Sequence, residues 1–163
     1  MKFRGLFALA SIALASASFA FKALAAKEIY IDKPTFMLYV VEETDTVASF
    51  PVCLAENYGQ KKRAGDHKTP EGDFTIKSIE DSSRWTHKSK KTGKVKYGVY
   101  GPYFFRLKCP QSTHIGIHGT DSPETIGTRD SEGCIRLKNE DLLQLKEYIY
   151  IGMPVHISPD PLE

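Results

Sequence analysis

Cysteine is scarce in this chain, net charge is slight, and only one stretch is both long and apolar. Three cysteines among 163 residues are too few for a scaffold held together by disulfides. A formal charge of +2, from 22 Lys and Arg against 20 Asp and Glu, is too small for a surface that holds nucleic acid by its field. Internal repeats and low-complexity tracts are missing beyond the N-terminus, which excludes repeat architectures. Disorder is excluded by the opposite kind of evidence. The chain is 41% hydrophobic and 11% aromatic, enough to bury a core without metal or staples. The length fits one domain.

The apolar stretch lies at the start. Lys2 and Arg4 precede an uncharged run from Gly5 to Phe21, and small residues follow at A-x-A-like spacings (Ala15 and Ala17, Ser18 and Ala20, Ala23 and Ala25). Basic, apolar, then small is the order of a secretory signal peptide, here residues 1–25. The rival is an uncleaved anchor, since the run touches the lower limit of about 17 residues for a bilayer span. Its richness in Ala and Ser favours cleavage, and the lack of a cysteine there argues against a lipoprotein. Removal takes away Lys2, Arg4 and Lys22 and leaves 19 bases to 20 acids. The mature domain is then near neutral, with no case for nucleic acid or an anionic membrane. Export also places Cys53, Cys109 and Cys134 in an oxidising compartment, where an odd count leaves at least one outside any internal pair.

The mature chain reads as strands. Ile29 and Ile31 alternate with polar neighbours. Thr35–Val41 and Val47–Leu54 flank a polar turn and form a hairpin. Ala55–Lys68, with its Lys61-Lys62-Arg63 run, reads as a solvated loop. Phe74–Ile79, Tyr97–Leu107, Thr113–His118 and Glu132–Leu137 read as further strands. Glu80–Lys96 is a long charged loop around Trp85, the kind that serves as a lid, with a solvated flap as the plain reading. Asn139 to about Ile149 is the one helix, with Asn139 as its N-cap and Gly152 as its stop. Pro154–Ile157 is a last strand.

Two segments carry chemistry. Ile115-Gly116-Ile117-His118-Gly119 ends a strand on histidine, and Ser131-Glu132-Gly133-Cys134-Ile135-Arg136 follows. A thiol is a strong nucleophile only as thiolate, a state that a nearby imidazole can create. Glycine before it lets backbone N–H groups face a substrate oxygen. Taken singly, each residue has a plainer explanation: a lone cysteine as a small buried hydrophobe, and a lone strand histidine as a packed or surface residue.

Together these motifs resemble the active-site signature of the L,D-transpeptidase (YkuD-type) family. Thr69-Pro70-Glu71-Gly72-Asp73-Phe74, Gly101-Pro102-Tyr103-Phe104 and Gly152-x-Pro154-Val155 resemble further family segments in the same order, so the likeness runs from about Lys27 to Ser158. It implies a mainly-β, L,D-transpeptidase-like sandwich or barrel with one short helix near the C-terminus, a catalytic domain over residues 26–158. It implies an enzyme of the periplasm or cell envelope that acts on peptidoglycan stem peptides. Neither metal nor organic cofactor is called for, and a monomer is expected. Cys134 would attack the carbonyl between the third stem residue and D-Ala, and His118 would take the thiol proton. The Gly133 region would supply oxyanion donors, and the Gly119 carbonyl would orient the imidazole. An amine from a second stem would resolve the thioester as a 3–3 cross-link.

One position departs from the family pattern, because Glu132 stands where histidine is usual before the Gly-Cys pair. It is expected either to steady an imidazolium on His118 or to be a polar rim residue. Arg136 is assigned to a stem carboxylate or to a local salt bridge. Ser131 either contacts substrate or supports the turn, and Tyr103 lines the donor side. A zinc reading through His114, His118 and Cys134 is disfavoured by the missing ligand spacings. Cys53 and Cys109 read as buried thiols, with a disulfide between them as the alternative. Water as acceptor would give an L,D-carboxypeptidase, and a protein acceptor an anchoring enzyme. A non-catalytic wall-binding module is the reading from another class, though a binder has no need of the thiol.

Overall fold

The computed structural model describes residues 26–88 and 93–161. The expected leader and the tip of the charged loop lie outside these residues. The elements are β1 (Lys27–Asp32), β2 (Met37–Glu42), β3 (Asp45–Pro51), β4 (Leu54–Ala55), β5 (Gly72–Asp81), β6 (Thr86–Lys88), β7 (Val95–Tyr97), β8 (Tyr103–Leu107), β9 (Gly116–His118), β10 (Arg129–Ser131), β11 (Ile135–Arg136), α1 (Asn139–Lys146) and β12 (Pro154–Ile157). Eight strands form one sheet in the order β11-β9-β8-β5-β12-β1-β2-β3. Among the described residues the architecture is mainly β with a single α-helix near the C-terminus, as the sequence leads one to expect.

Period-two patterning explains which residues face inward. Ile29 and Ile31 of β1, Leu38 and Val40 of β2, and Val155 and Ile157 of β12 are buried together, and Leu142 and Leu145 of α1 join the same core. The β2–β3 hairpin pairs Glu42 with Asp45, with Glu43 left-handed in its turn. Beyond β3 the chain curls over: Cys53 and Arg136 exchange both backbone hydrogen bonds, at 2.8 and 3.0 Å. This bridge ties the continuation of β3 to β11, so the first and last strands of the sheet order meet.

Two expectations change. The loop 80–96 is not simply a solvated flap. β5 runs on to Asp81, β6 and β7 pair as a short hairpin, and Trp85 packs against Tyr100 and Phe104 at 5.8 and 5.5 Å between ring centroids. The helix is also shorter than its apolar spacing suggests, and Asn139 is its first residue rather than its cap. The Asn139 side-chain Oδ1 instead accepts the Thr120 N–H at 3.0 Å. All three cysteines are free, Cys53 and Cys109 as buried thiols.

Candidate active site

Strand pairing brings the two chemical segments together. β9 and β11 run parallel, with Ile117 opposite Ile135 and His118 opposite Arg136. One step back along β11 therefore sets Cys134 level with Gly116. On the other side of β9, β8 places Phe104 opposite His118, and the two rings stack at 5.2 Å. Tyr100 meets the same imidazole edge-on at 5.1 Å.

His118 is buried, and its Nδ1 lies 2.6 Å from the Gly119 carbonyl oxygen. A carbonyl only accepts, so Nδ1 carries the hydrogen and Nε2 is left with its lone pair. The carbonyl is held by close packing. A Cβ on Gly119 would fall 2.1 Å from Asn139 Oδ1 and 2.9 Å from the Gly101 Cα. Only a bare backbone fits between Asn139 and Gly101.

The cysteine sits on a tight turn. Ser131 Oγ donates to the Cys134 carbonyl at 2.6 Å and accepts the Gly133 N–H at 3.1 Å. Gly133 has a φ of 143°, a region that L side chains rarely adopt. Ser131 is thus a buried strut of the turn. This corrects the expectation for Gly133, whose N–H is already taken and does not face an oxyanion in this geometry. The thiol donates to the His114 carbonyl at 3.3 Å.

Burial disfavours the charged form of both groups. Burial holds the His118 imidazole down to about 3, against the Gly119 carbonyl, which favours the charged form, and with Arg136 opposing a second positive charge. Burial pushes the Cys134 thiol up to about 11, while the Gly116 backbone, Arg136, Lys61 and Arg106 all pull toward thiolate. Burial thus works against a preformed thiolate–imidazolium pair. Glu132 is exposed at the rim, and its charge acts on the Tyr100 hydroxyl.

Arg136 forms an ion pair with the Asp130 carboxylate at 3.1 Å and also donates to the Asp130 carbonyl. That is the local salt bridge of the two expected roles. Tyr103 is not brought to the site. Along β8 it shares a face with Phe105, on which it stacks at 6.3 Å, and Lys146 of α1 covers its ring. The tyrosine beside the imidazole is Tyr100, which the family-like Gly-Pro-Tyr segment does not single out. A cleft of about 370 Å³ opens next to the pair, walled by Arg84, Trp85, Tyr100, Phe104, Arg106 and His114. Arg106 is aimed by both Glu80 oxygens, at 2.7 and 2.8 Å.

The L,D-transpeptidase catalytic domain (YkuD) family model matches residues 26–157, and the chain belongs to that family. It is 31% identical over 125 residues to a putative L,D-transpeptidase YkuD of Bacillus licheniformis, covering 77% of this chain and 60% of that one. A probable L,D-transpeptidase ErfK/SrfK of Escherichia coli is 38% identical over 66 residues, 40% of this chain and 19% of that one. The chain thus spans about 60% or less of the length of these relatives. Among solved structures, the L,D-transpeptidase from Mycobacterium smegmatis superposes with a TM-score of 0.65 at 16% identity, over 82% of this chain and 59% of that chain.

Proposed function

We propose that residues 26–158 form an exported peptidoglycan L,D-transpeptidase that works through a thioester on Cys134, after loss of a leader over residues 1–25. The observation that carries this reading is the locked imidazole. Nδ1 of His118 is committed to Gly119, so Nε2 is a free base beside the strand that follows Cys134. With thiol and imidazole both neutral, the proton leaves sulfur as sulfur attacks. The thiol releases the His114 carbonyl, Nε2 takes the proton, and the Cys134 sulfur bonds to the carbonyl carbon ahead of D-Ala. The C–N bond then breaks, and the imidazolium returns its proton to the departing amine. A stem amine attacks the thioester next and gives its proton to Nε2. The thiol is regenerated, and a 3–3 cross-link is left in the stems.

The oxyanion is assigned to the Cys134 N–H, since the Gly133 N–H is held by Ser131. Arg106 and the aromatic wall of the cleft hold the donor stem, and Glu132 stands at its rim. No cofactor enters these steps. Near-neutral mature charge suits a monomer that recognises stem peptides through a few placed groups.

Incubation with a disaccharide-tetrapeptide tests the reading by mass. A cross-linked dimer with release of D-Ala is expected. Tripeptide monomer alone would make water the acceptor, and an unchanged substrate would leave a binding module. Cys134→Ala should reduce either activity to background, and retained turnover would overturn the mechanism.

A further inference from the structure

Lys61 belongs to a basic run that reads as solvated loop, yet it is 2% exposed. Its ammonium donates to Asp66 Oδ1 at 2.7 Å and to the Lys68 carbonyl at 3.3 Å. The same groups form the back wall of the cysteine turn. A Cβ on Gly133 would fall 3.2 Å from the Lys68 carbonyl oxygen and 3.4 Å from Lys61 Nζ. A buried cation thus lies directly behind the residue that precedes the nucleophile.

Burying an ammonium is costly unless it is paired and hydrogen-bonded. Asp66 meets that need in an asymmetric way. Its carboxylate also accepts the backbone N–H groups of Lys62 at 2.7 Å, Arg63 at 3.0 Å and Lys68 at 3.2 Å. Against the desolvation that would raise it, the Lys61 ammonium and the Arg63 and Lys62 amides hold this carboxyl below the usual carboxylate range. The negative end is spread over three loop amides, while the positive end abuts the turn.

We propose that Lys61 is a positioning residue of this active site. Its buried ammonium, anchored by Asp66, sets fixed positive charge behind the Gly133–Cys134 turn and eases loss of the thiol proton during acylation. The inference rests on the reading of Cys134 as nucleophile. Other groups face that thiol too. The Gly116 N–H comes from β9, the strand that carries His118, Arg106 (paired with Glu80) from β8, and Arg136 (paired with Asp130) from β11. Tyr100, on a flanking loop, lies within reach of both the thiol and Glu132. Lys61 approaches through the loop between β4 and β5, and its burial shields it from salt.

The test is the pH dependence of Cys134 alkylation by iodoacetamide, followed by mass on the Cys134 peptide, so that buried Cys53 and Cys109 do not contribute. Lys61→Met removes the charge at similar volume. It should move the alkylation midpoint up by about one pH unit, a roughly tenfold loss of rate at pH 7. Asp66→Asn keeps the loop acceptor and leaves the cation less compensated, so the midpoint should move down. Opposite signs are the signature of charge, because a mere strut would weaken the site the same way in both variants. Unchanged midpoints in folded variants, or shifts of the same sign, would overturn the proposal. If Lys61→Met does not fold, the sign for Asp66→Asn decides alone. Alkylation needs no stem substrate, so these results stand apart from the Cys134→Ala turnover test.

Discussion

Replacing Ser131 by alanine removes one hydroxyl and two hydrogen bonds. The hydroxyl is 2% exposed as part of its residue, donates to the Cys134 carbonyl at 2.6 Å and accepts the Gly133 N–H at 3.1 Å. A buried group stripped of its partner costs about 1–3 kcal/mol. Gly133 is fully inside, whereas Cys134 is half-buried and can recruit water, so the sum should be about 2–4 kcal/mol. Equilibrium urea unfolding of wild type and Ser131→Ala measures this directly, since the slope should stay constant while the midpoint falls. Turnover should fall further than stability implies, because the Cys134 amide loses its fixed aim. Ser131→Thr retains the hydroxyl and should recover most of both losses. A change below about 0.5 kcal/mol with full turnover would refute the account of Ser131 as the strut of the turn.

Three further outcomes follow from the same geometry. Gly119→Ala would drive a methyl into Asn139 Oδ1 and the Gly101 backbone; it should destabilise by about 3 kcal/mol and abolish turnover while Cys134 still alkylates. His118 is held neutral down to about 3, whereas an unfolded histidine binds its proton near 6.5. Below about pH 6.5 the unfolded chain takes up more protons, so stability should fall with pH from there toward 3, and a His118→Gln variant measured by urea unfolding should lose that slope. Trp85→Ala should raise KM about tenfold, roughly 1.4 kcal/mol of lost contact, with kcat nearly unchanged, because the ring walls the cleft without touching the thiol turn.

Much of this fold is legible in the sequence where alternation is clean. The β2–β3 hairpin, the last strand over Pro154–Ile157 and the strand ending on His118 all carry regular apolar patterning. The candidate site is legible through Cys134 and His118 only in combination, because each alone has a plainer explanation and it is the run of motifs in order that singles them out. What stays hidden depends on partners distant in sequence. Lys61 looks solvated, since nothing in a Lys-Lys-Arg run announces that Asp66 folds back to receive one of the three. Tyr103 looks better placed than Tyr100 until Gly101 and Pro102 interrupt the strand and reset which side each ring takes. Asn139 looks like a cap because its residue type and position fit one. The tighter claim on its side chain, the Thr120 amide across the Gly101–Gly119 contact, comes from the tertiary fold.

The backbone exchange between Cys53 and Arg136 closes the sheet at the strand of only two residues that follows the nucleophile. That strand is gripped by His118's strand on one flank and by the Cys53 segment on the other, and neither grip is local in the chain. Such distant pairings carry a loop-closure cost and are slow to form. A chain that has not yet joined its two ends has a cysteine and a histidine but no aligned pair. Assembly of the sheet is thus itself the step that aligns the two side chains.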